Sequence, residues 1–577
     1  MKEYFEAELR LLHESAQEFA KAYPEQAGML NLKEIKDRDP YVERLLEGMA
    51  YLTAQIRQHI DDDIPEISET LLSQLWPHLL RPYPSSTIIQ FTPRIGQIQQ
   101  TQIIEKETLL LSRAVGEDNV ICKYSTIGDV VLNPLQISKF ELEEPAGGGT
   151  IFRLRFEFDA GISVTNIDLT KLKIYLHADP AVALWLHHQL TGEVARLRVM
   201  FPEYPTFKPH EIKGKQGIMP AHLDSKDSVV KLSGTNYSGY HLLLDYFCFR
   251  EKYMFIEING LAQVKWPKNI SQFELEIKIN GICPPDHRLS KENFRLHCAV
   301  ARNLFKQDSE PVYLTHQKTN YKVVADSAVE DGIQVYSLDK VVGFDPETGE
   351  THEYYPMSSF MHRKYNGRYY HSFRRNQGTG RAETYLTVGG AHEFRTEMLS
   401  CTITASNGDY PRQYLRENSV NFPSDEFPSY ASYTNITRPT AMLPPPERSR
   451  FHWELISHLS LNYSSLASLS VLKRLLGLYD WTNHQQNKKR IEGITKIEIK
   501  PVERFSKGAL MRGLEVNLTL VEDNYRSISD IHLFGNILHN FFSMYSAVNS
   551  FVQTRVYCHP SNKELTWEPL PGENSPL

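Results

Sequence analysis

No stretch of the 577 residues approaches the ~18 consecutive apolar side chains that a membrane-crossing helix needs. The expectation is therefore no direct membrane insertion. Cysteine is sparse and unpatterned: six residues, at 122, 248, 283, 298, 401 and 558, with no CxxC pair. They form no even framework, and in a reducing compartment buried thiols are the simplest reading. Basic charge is not in excess. The net charge of -7 argues against a nucleic-acid or anionic-membrane footprint. The clusters Lys488-Lys489-Arg490 and Arg374-Arg375 lack an adjoining basic face and read as solvated loops. The N-terminus, MKEYFEAELRLLHESAQEF, carries acidic residues and no apolar core, so no signal peptide and a cytoplasmic location are expected.

Recognisable chemistry is absent too. There is no GxSxG, Walker A, GxGxxG or kinase set. Gly147-Gly148-Gly149 has no Lys or Ser/Thr behind it and is no phosphate loop. Asp61-Asp62-Asp63 lacks the alternating spacing of a calcium loop and reads as helix capping. His187-His188 has no HExxH-type partner. His297 and Cys298, adjacent on a strand, point to opposite faces and cannot act together. The expectation is no catalytic residue, no metal site and no cofactor.

What is present begins with apolar seams. Val42, Leu45, Met49, Leu52 and Ile56 recur at three and four residues, which predicts one helix face. Asp39-Pro40 starts that helix, and Glu43 and Arg44 point away from the seam. The acidic run is expected to interrupt it, with Asp63 and Glu66 capping a second helix over Ile67, Leu71, Leu72, Leu75 and Leu79. Pro77, Pro82 and Pro84 end that helix. A third seam, Phe5, Leu9, Leu12, Ala16, Phe19 and Tyr23, closes at Pro24. The three helices either pack on each other or pair with another chain.

From Ser86 the pattern alternates. Phe152-Phe158, Leu172-Leu176 and Phe273-Ile279 each read as half-buried strands, the last ending at Asn280-Gly281. A short helix is expected from Pro180 to Leu190. Aromatic clusters at Tyr354-Tyr355, Tyr365-Tyr370 and Tyr430-Tyr433 fit either an interface or sandwich packing. Beyond Pro444-Pro445-Pro446 the order is α-β-β-α-β: a helix from Trp453 to Leu478, strands Ile491-Lys500 and Leu510-Val521, a helix from Ile528 to about Ser546, and a strand Phe551-Tyr557. Arg81 and His78 are expected to bond the last carbonyls of the second helix. A chain this long holds roughly three to four domains. The fold class is α+β and multidomain. An N-terminal helical bundle segment (1-85) precedes a large β-rich, sandwich-like middle (86-290 and 291-450), and a small α+β domain (451-577) ends the chain.

Four ordered stretches carry a family resemblance. They are Asp39-Pro40-x-Val42-Glu43-Arg44-Leu45 with Asp61-Asp62-x-x-Pro65-Glu66 and Pro77-His78-x-x-Arg81-Pro82; Arg295 to Val341; Trp453 to Tyr463, with His458 and Asn462; and Phe534-Gly535, Phe541-Phe542, Asn549-Ser550-Phe551. Together they resemble TssF (VasA/ImpG), the baseplate wedge subunit of the bacterial type VI secretion system. One departure stands at Asn407-Gly408-Asp409, where the turn chemistry is kept but a basic residue common in the family is missing. The resemblance implies a non-enzymatic scaffold docked at the inner membrane. Two such copies and one TssG-like copy would form a wedge, with a TssK-like adaptor, a TssE-like sheath initiator and a VgrG-like spike hub as further partners. It implies that Phe5, Leu9, Leu12, Phe19 and the Val42-Ile56 seam are intersubunit contacts. Other readings are a wedge protein of a phage-derived particle, or a carbohydrate-binding or hydrolytic protein built on the β-rich middle.

Overall fold

A computed structural model describes residues 5-6, 8-13, 15-16, 40-212, 217-231, 239-327, 332-357, 367-376, 382-390, 396-446, 451-457, 466-506 and 509-572. The chain is mixed α+β. It divides into two compact units: Met1-Leu80 with Pro446-Ser460, and Arg81-Pro445 with Leu461-Leu577.

The first unit is helical. Its main element is one continuous helix, Pro40-Leu75, of 36 residues. This corrects the expected helix-turn-helix. Asp61-Asp62-Asp63 lies within the helix and does not break it, so Asp63 caps no second helix. The helix also runs through Pro65, which removes one backbone donor from the ladder. Its length is about 54 Å at 1.5 Å per residue. It ends where expected, at a 3-10 turn over Pro77-Leu80. The short helix Phe451-Ser457 packs against it.

In the second unit, Ser86-Pro93 lies between Ala431-Asn435 and Cys298-Arg302, and the sheet continues through Val120-Thr126 to Leu109-Val115. Segments on both sides of residue 290 therefore share one sheet. Its core gathers Ile89, Phe91, Tyr124, Ala301, Leu415 and Tyr433. A second five-stranded antiparallel sheet contains Thr150-Phe158 paired with Gln272-Ile279. Its alternation is legible in the side chains: Phe152, Leu154, Phe156 and Phe158 are buried. On the other face Arg155 pairs with Glu274 at 2.6 Å, while Arg153, Arg196 and Arg198 surround Glu276. Lys171-Leu176 belongs to a third, four-stranded sheet, and Phe140 of the second sheet packs on its Phe294, 5.2 Å between ring centroids.

Residues 305-406 form an eight-stranded sheet that curls on itself. Strands from both ends of its order, Phe305-Asp308 and Tyr321-Val323, feed one core. The Ser309-Ala325 bridge, with Glu310 N donating to Val324 O at 2.9 Å, joins those ends. A barrel-like closure thus replaces the sandwich expected here, because closing the sheet removes its exposed edges.

The C-terminal segment places Ile494-Ser506 antiparallel to Ala509-Val521. The latter runs parallel to Ser550-His559 through the helix Ile528-Tyr545. A single helix from Trp453 to Leu478 is not what forms: Ala467 and Ser468 are non-helical, and a separate helix runs Leu469-Tyr479. The serines of this stretch favour local turns over helix interior. The helix Gln485-Glu492 was not anticipated.

Candidate interaction surface

Between Tyr41 and Ile56 the long helix carries most of its large apolar residues outward, while Leu72 further along is fully buried. Leu45 is 66%, Met49 51%, Leu52 61% and Ile56 60% exposed, and Tyr41 on the same face is 83% exposed. Ala50 and Ala54 are fully buried. At 100° per residue these alanines lie about 140-180° from Leu45, so the small side of the helix packs inward. Val42 is half-buried. Among the described residues, none covers the side chains of Leu45, Met49, Leu52 and Ile56. Exposed Leu, Met and Ile in one contiguous stripe are unusual on a monomer surface.

Other predicted residues fall around this face. Phe5, Leu9 and Leu12 are helical and half-buried. His13 Nε2 contacts Glu43 Oε1 at 2.8 Å, tying the N-terminal helical residues to the long helix. Pro40 opens the helix, and Arg44 is exposed. Trp453, on the packed helix Phe451-Ser457, is 45% exposed. Phe19, Asp39, His458 and Asn462 lie outside the described residues, as do the side chains of Asp61, Asp62, Pro65 and Glu66. Pro77 begins the 3-10 turn, His78 is buried in it, and Pro82 is buried. The Arg81 guanidinium lies over the Tyr336 ring, 5.7 Å from its centroid, a different place from the expected helix carbonyls.

The C-terminal motif residues serve the interior. Phe534, Phe541 and Phe542 are buried in the helix Ile528-Tyr545. Gly535 has a specific reason: a Cβ there would stand 2.3 Å from the Trp567 ring. Asn549 sits in the exposed turn before the strand Ser550-His559.

Sequence reasoning missed a buried ionic network at the start of this helix. Asp530 receives Arg250 at 2.5 Å and Arg490 at 3.1 Å. Arg490 also donates to Asn487 Oδ1 at 2.8 Å, and Asn487 donates to Asp480 Oδ1 at 3.0 Å. Burial raises the Asp530 carboxyl, but Arg250 and Arg490 outweigh it and hold it below its ordinary value. Ser527 caps the helix, placing Asp530 in the first turn where the helix dipole favours a carboxylate. A second pair, Lys252 with Asp245 at 2.5 Å, is wholly buried, and Tyr83 donates to the same carboxylate at 3.0 Å. No local pattern marks these pairs. Arg250, Arg490 and Asp530 come from separate segments, and Lys252 and Asp245 stand seven residues apart across the end of the helix Tyr240-Cys248.

The residues weighed for chemistry are structural. His187 and His188 are buried on the helix Pro180-Gly192, and His188 stacks on His532 with 4.3 Å between ring centroids. Burial pushes His187 down to about 3 and His188 down to about 4, so both are neutral. His297 Nε2 accepts from Asn133 N at 3.2 Å, and burial raises the Cys298 thiol far out of the reactive range. Tyr354, Tyr370 and Tyr433 are packing residues, Tyr354 donating to Glu397 at 2.8 Å. Asn407 is buried and pairs with Asn303, donating its N-H to Asn303 Oδ1 at 2.7 Å. Among the described residues no group of three or more His, Cys, Asp or Glu is placed to hold a metal, and no helix is long and apolar enough to cross a membrane.

Comparison with known proteins decides the family. A sequence model described as "Type VI secretion system, TssF" matches residues 1-574. The chain belongs to the TssF family. It is 27% identical to type VI secretion system component TssF1 of Pseudomonas aeruginosa, over 100% of this chain and 99% of that protein. It is similar to a chain in the cryo-electron microscopy structure of a type VI TssK-TssF-TssG baseplate subcomplex. That match has a TM-score of 0.78 and 32% identity, covering 93% of this chain and 99% of the other. A chain of another type VI baseplate complex matches at TM-score 0.64 and 29% identity over 100% of both. As a TssF, the chain is a component of the type VI secretion baseplate, and the family and its structural neighbours are structural components of that assembly.

Proposed function

We propose that the chain acts as a non-enzymatic wedge subunit whose long helix binds partner subunits through the outward seam. The carrying observation is the exposed stripe Leu45, Met49, Leu52 and Ile56 opposite buried Ala50 and Ala54. Fully burying a Leu, Ile or Met side chain is worth ~1.5-3 kcal/mol. Four half-exposed anchors closed together therefore supply several kcal/mol of association free energy. Trp453 adds an exposed aromatic of the kind that anchors interfaces.

The first partner is a TssG-like chain, with a second copy of this chain completing the wedge and a TssK-like adaptor attached to it. The neighbouring baseplate structure that contains TssK and TssG supports this reading. A TssE-like sheath initiator and a VgrG-like hub are the further contacts of such a wedge. The wedge works on the cytoplasmic side of the inner membrane. Residues 1-85 supply the bundle contacts, the β-rich 86-450 forms the protruding part, and 451-577 adds the C-terminal α+β domain.

The test is native mass spectrometry of the chain co-expressed with its TssG-like partner. The expected particle holds two copies of this chain per partner, and a chain that stays monomeric beside a soluble partner contradicts the proposal.

A further inference from the structure

A cavity of about 270 Å3 opens beside the strand Cys298-Arg302. Lys231, Arg302 and Lys306 line it, with Glu107 the single carboxylate among the described lining residues. Glu107 lies 2.9 Å from Lys231, 3.6 Å from Arg302 and 3.9 Å from Lys306. Three cations thus face one anion. Arg302 is only 2% exposed, yet its Nε has no hydrogen-bond partner among the described residues. One terminal nitrogen donates to the Val229 carbonyl at 2.5 Å. Glu107 and the more remote Asp245, itself paired with Lys252, are the carboxylates acting on Arg302, so this buried guanidinium has an idle donor and shares both of its counterions.

The surroundings deepen the imbalance. Arg302, Arg81 and Arg374 all act electrostatically on buried Tyr336, whose hydroxyl has no partner among the described residues. Among the described residues, the ionisable groups acting on Arg374 are Tyr336 and Arg81. Glu107 itself is held at φ 64, a left-handed conformation uncommon outside glycine. The apolar lining residues Leu304 and Phe305 suit the methylenes of an acidic side chain. The volume is below the ~300-1,000 Å3 of small-molecule sites and fits one side chain.

We propose that this cavity is a carboxylate-binding site that takes an acidic side chain from a peptide segment of a partner chain, between Arg302, Lys231 and Lys306. Glu107 occupies the place of that carboxylate in the isolated chain. The test is fluorescence anisotropy of a labelled hexaglutamate peptide with the purified full chain at low ionic strength. Saturable binding is expected, weakened about tenfold in the Lys231→Ala, Lys306→Ala double variant, since a charge-assisted hydrogen bond carries that much. Lys306 is exposed and Lys231 half-buried, and the variant's circular dichroism spectrum and melt are expected to match wild type. Glu107→Gln is expected to tighten binding by removing the internal competitor. Inorganic phosphate, which lacks an apolar stem, is expected not to displace the peptide at equal concentration. Absence of saturable binding, equal binding by the double-lysine variant, a weaker complex with Glu107→Gln, or displacement by phosphate overturns the proposal.

Discussion

Two helices of this chain share an apolar spacing and meet opposite fates. Ile528-Tyr545 is buried on nearly every side, with Phe534, Ile537, Leu538, Phe541 and Phe542 all inside. Pro40-Leu75 buries Ala50 and Ala54 and leaves Leu45, Met49, Leu52 and Ile56 in solvent. The first helix is finished by its own chain: a cap at Ser527, an ion network at Asp530, and Trp567 against Gly535. The second is left open on that face: its four large side chains stay exposed. The difference lies in what each helix finds opposite its large residues, since the periodicity alone is the same.

The comparison breaks most sharply at the exposed seam. Leu52→Asp is expected to abolish co-purification with the TssG-like partner while leaving the chain's own unfolding free energy within about 0.5 kcal/mol of wild type, as for a surface change. Pull-down paired with denaturant unfolding separates the two effects. The mirror experiment in the C-terminal helix is Asp530→Ala, which strands Arg250 and Arg490 without their carboxylate. Leaving buried charge uncompensated costs roughly 3-5 kcal/mol, to be read from chemical unfolding. Gly535→Ala drives a methyl into the Trp567 ring, and a loss of about 1-3 kcal/mol is expected in the same assay.

A pH titration sharpens the contrast by a smaller amount. Burial holds His187 at about 3 and His188 and His539 at about 4, below the 6.5 of an unhindered imidazole. The unfolded chain therefore takes up protons first as pH falls. Stability from these histidines is full above about 6.5 and declines as pH drops through the window toward about 4. Thermal melts between pH 8 and pH 5 are expected to show that decline, flattened in His188→Gln. A melt independent of pH across that range contradicts the assignment.

Much of this was readable in the residues. The strands at Thr150-Phe158, Lys171-Leu176 and Gln272-Ile279 follow from strict alternation, and the helix Ile528-Tyr545 from its periodicity. The seam was readable as a face but not as an exposed one, because spacing does not say what covers it. Local rules failed at Asp61-Asp63, where poor helix formers and Pro65 are carried through by a 36-residue helix. They failed again at Trp453-Leu478, where Ala467 and Ser468 leave the helix. The Arg250-Asp530 pair spans 280 residues and the barrel closes through Ser309 and Ala325, pairings that no local window contains.

The most direct test of the central claim is thiol labelling of a Leu52→Cys variant, alone and in the assembled complex. Five of the six native cysteines are buried, and burial first, then Asp245 and Asp480, holds the remaining Cys248 thiol well above its ordinary value, so the background is low. Fast labelling of the isolated chain and strong protection in the complex are the predicted result; equal labelling in both states contradicts the account.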